Sequence, residues 1–348
     1  MKNSLKSYIL NFLLIIILTA FGLWFALKDN MQAVIETIAA IKWYMIVLIL
    51  MGGIVCGICA GCVLTLMARR YNKNYTFFKG IANAFVGLFF CGITPSATGG
   101  QFAQAYIFKK QGIDLKDSAS ILWADFIIYQ TVMMLYVTIL FLMKFTYFLE
   151  LIGPWLLAIV VGYLINLAVI SVLWTMALLP KLYVKLSKLA VKVLAFFKII
   201  KDKEKTLASW SYQVAAFTSE IQSLKKDKAL IIKASFISFI RMSVHFALPF
   251  LIMNILGCAT GFERFIDCLS LSSFVLMANA FIPVPGASGG TEVIFTQLFR
   301  SIIADSSLAS GVMILWRFST FHVLVIVGSI LFICLKQYYE KRKYKETE

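Results

Sequence analysis

Long apolar stretches alternate with short polar ones along the whole 348-residue chain. A helix needs about 20 predominantly apolar residues to cross the hydrocarbon core of a bilayer. The stretches that meet this requirement are 9–27, 43–67, 118–143, 153–179, 229–256 and 307–335. This pattern predicts an all-α polytopic membrane protein with about six full transmembrane helices.

Two further apolar stretches, 77–108 and 261–303, are interrupted near the middle by Pro and Gly residues. Irregular backbone is tolerated at membrane depth only where protein or a watery cavity covers it. We therefore predict that each stretch is a re-entrant hairpin of two half-helices, and that the two breaks mark a functional site.

Composition agrees with this class, because 61% of the residues are apolar and 14% are charged, whereas soluble domains carry about 25% charged residues. The net charge of +16 is explained by the Lys and Arg residues that accumulate in the cytoplasmic loops of membrane proteins, so it does not require a nucleic-acid partner. Placing 1–8, 68–79, 109–116, 181–228 and 336–348 on one face collects 25 Lys and Arg there and leaves five on the other. The positive-inside rule then predicts a bacterial cytoplasmic-membrane protein with both termini cytoplasmic. The first hairpin enters from the cytoplasm and the second from outside.

The same map predicts one transmembrane domain over 1–348, with an internal repeat. The first repeat covers about 1–180 and the second 229–335, followed by a cytoplasmic tail, 336–348. Lys recurs at helical spacing at the start of the connector 181–228, which is typical of an interfacial amphipathic helix. A solvated charged connector explains residues 200–228 equally well.

The two breaks carry matching motifs, TPSATGGQ at 94–101 and VPGASGGT at 284–291. At a constant offset of 190 residues, the Pro, the Ala and both Gly recur. The Pro ends the first half-helix, and the paired Gly permit positive φ and the close approach of another backbone or a ligand. The second half-helix then begins at mid-membrane, where its free N–H groups and dipole favour an anion. The alternative is that both loops serve only to pack a rigid bundle.

These two motifs resemble the signatures of the flippase-like domain family, which includes the N-terminal membrane domain of lysylphosphatidylglycerol synthases. The resemblance covers essentially the whole chain. It implies a lipid translocase that moves or binds a phospholipid, either aminoacylated phosphatidylglycerol or another anionic lipid. Relatives often carry Arg and Glu around the first motif, where this chain has Ser96, Thr98 and Gln101, so the headgroup stays open. The alternative function is a phosphatidylglycerol lysyltransferase, or an accessory subunit of a separately encoded synthase. Because the chain ends at Glu348 without a soluble synthase domain, we do not expect it to be an enzyme by itself.

Ionisable residues inside spans are costly and indicate function or structural pairing. Glu292 lies in the first turn of a half-helix, where the dipole stabilises a carboxylate. It is a candidate for a substrate ammonium or a coupling proton. Arg241, Arg317 and Asp125 lie within other spans, and Arg241 is the candidate structural partner of Glu292 or Asp125. The predicted substrate-binding residues are Thr94, Pro95, Ser96, Thr98, Gly99, Gly100, Gln101, Asp125, Arg241, Pro283, Pro285, Gly286, Ser288, Gly289, Gly290, Glu292 and Arg317.

No other motif predicts chemistry. Cys56, Cys59 and Cys62 have metal-like spacing, but Gly53, Gly57 and Gly61 accompany them at the spacing of close helix packing. We expect no metal, no cofactor, no catalytic residue and no nucleic-acid partner. The expected partner is a membrane phospholipid, and the sequence gives no indication of oligomeric state.

Three polar clusters have the composition of helix N-caps. Thr260 with Glu263, Asp117 with Ser118, and Asp305 with Ser306 each precede an apolar stretch. They predict where the second hairpin, the third span and the last span begin.

Overall fold

A computed structural model describes residues 31–144, 146, 154–179, 227–258, 261–279 and 282–345. The predicted span 9–27, most of the connector 181–228, the proposed cap at Thr260 and residues 346–348 lie outside the described residues. Regular structure in the described part is helical throughout. Its α-helices are α1 Met31–Ala39, α2 Trp43–Ala68, α3 Phe77–Ile93, α4 Gly99–Lys110, α5 Leu115–Met143, α6 Pro154–Leu178, α7 Lys228–Ile255, α8 Phe262–Asn279, α9 Gly290–Phe299, α10 Ser306–Arg317 and α11 Val323–Lys345.

The predicted polytopic α-helical class is confirmed. Helices α2, α5 and α7 are each long and apolar enough to cross a membrane, and so is the continuous segment Ser306–Tyr339. Helix α6 has 25 residues and coincides with the predicted span 153–179. The segment Ser306–Tyr339 is not uniform, because a π-helical turn, Phe318–His322, joins α10 to α11. Such π turns inside α-helices are frequent at functional sites.

Both predicted hairpins are helix–break–helix structures. Helices α3 and α4 are separated by a 3₁₀ turn at Pro95–Ala97, and α8 and α9 by the equivalent turn at Pro285–Ala287. The two arms pack against each other in each hairpin. The repeat read from the motifs is therefore also a structural repeat.

The two hairpins enter the bundle from opposite faces. Arg69 follows α2 and donates a hydrogen bond to the Tyr75 carbonyl at 3.1 Å, so the chain turns back at once into α3. The open end of the first hairpin thus lies where α2 ends and α5 begins. Helix α5 has 29 residues and is about 43 Å long. At its far end, Lys144 Nζ lies 2.9 Å from Asp267 Oδ1 near the start of α8.

Each hairpin has its own hydrophobic core. Around the first hairpin, buried side chains of α2, α3, α4 and α5 pack together, with Phe108 fully buried. Around the second, side chains of α7, α8, α9 and α10 form a larger core that contains the stacked rings of Phe295 and Trp316. Helix α5 contributes to both cores and so lies between the hairpins.

The two capping predictions that fall within the described residues have different outcomes. Asp305 caps α10, because its carboxylate accepts hydrogen bonds from the Ser307 N–H at 2.7 Å and from the Ser307 hydroxyl at 2.6 Å. These hydrogen bonds hold the pKa of Asp305 below its ordinary value. The prediction for Asp117 is wrong, since α5 begins at Leu115 and Asp117 lies in its first turn. Asp114, in an extended conformation, occupies the N-cap position instead, without a side-chain cap hydrogen bond.

The glycine stripe of α2 packs closely, as predicted. A Cβ on Gly53 would lie 1.9 Å from the Ser319 carbonyl oxygen, and one on Gly61 would lie 2.5 Å from the Ile81 Cα. Gly57 faces the ring of Phe85. The Ser319 hydroxyl also accepts from the Gly53 N–H at 3.1 Å and donates to the Ile49 carbonyl at 2.6 Å. This contact joins α2 to the π turn of the last span.

We expect Gly53→Ala to destabilise the protein by about 1–3 kcal/mol, because the added methyl meets backbone that cannot rotate away. Thermal unfolding of the purified protein in detergent, followed by tryptophan fluorescence, measures this effect. Gly52→Ala is the matched control, since its Cβ would meet only the flexible end of Leu248. Equal melting temperatures for the two variants would contradict the prediction.

Candidate functional site

The two breaks meet in the centre of the bundle, where their 3₁₀ turns contact each other. Their backbones match closely. Ser96 and Ala97 have φ of 50° and 54°, and Gly286 and Ala287 have φ of 61° and 52°. The backbone of non-glycine residues rarely adopts this left-handed conformation, and backbone strain of this kind clusters at functional sites.

The predicted role of the paired glycines is only partly right. Gly289 has a positive φ of 84°, as expected. Gly99, Gly100 and Gly290 instead lie in the first turns of α4 and α9 with ordinary helical geometry. The positive φ of the first break falls on Ser96 and Ala97. Close approach is the reason for Gly100, because a Cβ there would lie 2.2 Å from Cys91 Sγ and 2.9 Å from the Gly87 carbonyl oxygen of α3.

The second break is more buried than the first and is braced by an ion pair. Glu292, at the start of α9, is 1% exposed, and its Oε1 accepts from Arg317 Nε at 2.9 Å. The same guanidinium donates to the Gly286 carbonyl inside the break and lies 4.1 Å from the centre of the Phe321 ring. Arg317, at the end of α10, therefore links the 3₁₀ turn of the second break to the start of α9.

The first break is exposed. Residues Pro95–Thr98 are all open to the bundle's interior space or solvent. Thr94 braces this loop, because its hydroxyl donates to the Phe90 carbonyl at 2.6 Å and accepts from the Gly99 N–H at 2.9 Å. Thr98, at the N-cap of α4, donates to the Pro95 carbonyl instead of capping the helix.

Three adjoining cavities surround the breaks, and Leu88 and Tyr129 line all of them. The largest of the three has a volume of about 520 Å³ and is lined by Asp125 and Arg241, so we call it the charged cavity. The second, of about 350 Å³, lies between the two turns. It is lined by the side-chain amides of Gln130, Asn166 and Asn279, so we call it the amide cavity. The third, of about 180 Å³, contains His245 and shares Arg241 with the charged cavity. The two larger volumes fall in the range of about 300–1,000 Å³ that is typical of ligand pockets.

Arg241 is the central cation of this space. Its guanidinium carbon lies 4.8 Å from the centre of the Tyr129 ring, one helical turn along α5 from Asp125. In the described part of the chain, no side-chain ion pair or hydrogen bond engages the guanidinium. The suggested pairing of Arg241 with Glu292 or Asp125 is therefore wrong, because Arg317 occupies Glu292 and Asp125 is not within ion-pair distance.

The predicted site residues divide into two groups. Those that line the cavities are Ser96, Thr98, Gln101, Asp125, Arg241 and Gly286. The others shape the breaks without lining any of the three cavities: Thr94, Pro95, Gly99, Gly100, Pro283, Pro285, Ser288, Gly289, Gly290, Glu292 and Arg317.

Several lining residues were missed by the sequence analysis. Tyr129 and Gln130 of α5, Asn166 of α6 and Asn279 of α8 face the cavities. A signal for three of them was present, because buried amides within apolar spans are costly and usually have a structural or functional partner.

Comparison with known proteins agrees with this architecture. The sequence profile of the lysylphosphatidylglycerol synthase TM region matches residues 9–328. A UPF0104 membrane protein of Pyrococcus horikoshii is 28% identical over 270 residues, which cover 75% of this chain and 78% of that protein. A UPF0104 membrane protein of Archaeoglobus fulgidus is 23% identical over 281 residues, covering 76% and 78%. The chain is thus a membrane protein that belongs to the family of the lysylphosphatidylglycerol synthase transmembrane region.

Proposed function

We propose that this protein is a lipid translocase that binds the phosphate of an anionic phospholipid in the charged cavity and moves the lipid between leaflets. The observation that carries the proposal is Arg241, a cation within a span that lines a cavity of about 520 Å³ without an ion-pair partner in the described part of the chain. A charge at membrane depth is costly and is retained for a ligand or a partner.

The surroundings of Arg241 support a phosphate ligand. The exposed first break supplies the start of α4, whose dipole adds positive potential on the same cavity, although the Gly99 N–H is already bonded to the Thr94 hydroxyl. Thr98, Gln101 and Gln104 add hydrogen-bonding groups to the cavity wall. The Arg241 guanidinium carbon lies 4.8 Å from the centre of the Tyr129 ring, and a guanidinium offers planar, paired N–H donors that match phosphate oxygens.

Two hairpins that enter from opposite faces and touch at their breaks are the arrangement found in inverted-repeat transporters, whose substrates bind at the repeat interface. We propose that the first hairpin opens to the cytoplasm and that both termini are cytoplasmic, in line with the excess of Lys and Arg on that face. The membrane is the cytoplasmic membrane of a prokaryote, and the two relatives named above are archaeal.

Proteoliposomes that contain the purified protein and a trace of phosphatidylglycerol labelled on an acyl chain test this function. We expect lipid that starts in the inner leaflet to become accessible to a membrane-impermeant quencher far faster than in protein-free liposomes. A panel of phosphatidylglycerol, phosphatidic acid and lysylphosphatidylglycerol should be included. Leaflet exchange at the protein-free rate for every lipid of the panel would refute the proposal.

The family relationship supports a second proposal, that the protein works beside a separately encoded lipid-modifying synthase. In that case its expression changes how much lysylphosphatidylglycerol reaches the outer leaflet, and not how much is made. Synthesis of this lipid in a host without other synthases, when only this chain is expressed, would instead identify it as the lysyltransferase.

A further inference from the structure

The amide cavity has a polar lining without charge. Its hydrogen-bonding side chains are those of Ser96, Tyr129, Gln130, Asn166, Asn279 and Thr320. No Asp, Glu, Lys or Arg among the described residues lines it. It adjoins the charged cavity directly, because Ser96, Ala97 and Tyr129 line both.

Part of this polar lining is already satisfied by protein. Gln130 Nε2 donates to Asn166 Oδ1 at 3.0 Å, and Asn166 Nδ2 donates to the Gly162 carbonyl at 2.9 Å. Gln130 and Asn166 are each only 7% exposed. On the opposite wall, Asn279 Oδ1 accepts from the Thr291 hydroxyl at 2.8 Å. These bonds orient the amides and fix which atoms remain open.

The atoms that remain open are both donors and acceptors. In the described structure, Gln130 Oε1, the Asn279 amide nitrogen and the hydroxyls of Tyr129 and Ser96 have no hydrogen-bond partner. These residues line the cavity, so their open atoms are available to a ligand inside it. A hydroxyl group both donates and accepts, so a ligand that carries several hydroxyls can satisfy this mixed set.

We infer that the amide cavity receives the uncharged, hydroxyl-bearing part of a polyol headgroup whose phosphate lies at Arg241. This assignment rests on the proposed phosphate site and narrows its substrate to phospholipids with a polyol head, of which phosphatidylglycerol is the simplest. The phosphodiester crosses from one cavity to the other beside Ser96 and Tyr129.

Charge argues against the cationic alternatives. An ammonium placed in the amide cavity would meet no carboxylate, because Glu292 is occupied by Arg317 and Asp125 lines the other cavity. Phosphatidic acid, which has no further headgroup, would leave the open amides and hydroxyls unpaired. Aminoacylated and ethanolamine lipids therefore fit this cavity less well than a polyol.

The test compares equilibrium binding of short-chain phosphatidylglycerol, phosphatidic acid and phosphatidylethanolamine to the purified full-length protein in detergent. We expect wild type to bind phosphatidylglycerol at least tenfold more tightly than the other two. The double variant Gln130→Met/Asn166→Leu removes both amides together, so that neither partner is left buried and unpaired. In this variant the preference for phosphatidylglycerol over phosphatidic acid should fall to near one, while the affinity for phosphatidic acid stays unchanged.

Two further variants complete the design. Tyr129→Phe removes one open hydroxyl and keeps the ring beneath Arg241, so it should reduce the preference several-fold even if the double variant does not fold. Asn254→Leu removes an amide of α7 that lines none of the three cavities, and it should keep the wild-type preference.

The outcomes separate the two proposals. If phosphatidylglycerol and phosphatidic acid bind equally well and both depend on Arg241, the phosphate site stands and the polyol assignment is wrong. An unchanged preference in the double variant and in Tyr129→Phe would also overturn the assignment. If no lipid of the panel binds in an Arg241-dependent way, the proposed function itself fails.

Discussion

Arg317→Met is expected to destabilise the protein by about 3–5 kcal/mol, because it leaves the Glu292 carboxylate buried without its partner. The carboxylate side chain is fully buried and its Oε2 has no hydrogen-bond partner in the described structure, so Arg317 is its main source of stabilisation. The substitution also removes the hydrogen bond to the Gly286 carbonyl that holds the second break. Thermal or denaturant-induced unfolding of the purified protein measures the loss.

A double variant and a control identify the cause. Arg317→Met/Glu292→Met replaces both charges with apolar side chains and should recover most of the stability, since apolar replacement of a buried ion pair is often neutral. Arg264→Met removes a guanidinium that is 42% exposed and lies 3.8 Å from Asp267. The loss should be small, because Asp267 keeps its closer partner Lys144 at 2.9 Å and an exposed cation contributes little. Equal stability of Arg317→Met and Arg264→Met would show that the buried pair does not brace the break.

Arg241→Gln is expected to weaken the binding of anionic lipid roughly 10- to 100-fold, because a hydrogen bond to a charged group contributes about 1.5–3 kcal/mol. Translocation should fall with it. Arg241→Lys should be intermediate, since an ammonium keeps the charge but cannot offer two parallel donors to phosphate. Binding titrations and leaflet exchange in proteoliposomes measure the two effects.

Lys233→Gln is the matched control for Arg241→Gln. It removes one positive charge from the same helix at an exposed position that lines none of the three cavities. It should leave lipid affinity unchanged. A parallel loss in both variants would mean that α7 acts through general surface charge, and unchanged binding in both would remove Arg241 from the proposed site.

The architecture was predictable because each part of it has a local cause. Apolar length fixes the spans, and α3 ends directly before Thr94-Pro95, whereas α8 already ends at Asn279, ahead of Pro285. The offset of 190 residues between the two motifs then predicts that the breaks are equivalent, and the 3₁₀ turns confirm it. The charge bias predicts that the hairpins enter from opposite faces, and the contact between Lys144 and Asp267 agrees.

The division of roles between the breaks was not predictable from the motifs. The sequence places two arginines, Arg241 and Arg317, within spans. Which of them pairs with Glu292 depends on how the neighbouring helices are rotated about their axes. The π turn directly after Arg317 sets part of that rotation, and no local motif predicts it. For the same reason, the exposed first break and the buried second break look alike in sequence, although only the first lines the charged cavity.

The hydroxyl of Ser319 has a consequence for how the bundle changes shape. It lies between the N–H of Gly53 and the carbonyl of Ile49, in the first half of α2, and belongs to the π turn of the last span. Sliding one span along the other would break both hydrogen bonds, whereas tilting about this point keeps them. We therefore expect the contact to act as a fulcrum. Spreading of the spans at one membrane face then brings them together at the other, with the larger displacement at the end of α2 near Ala68, because the contact lies closer to Trp43.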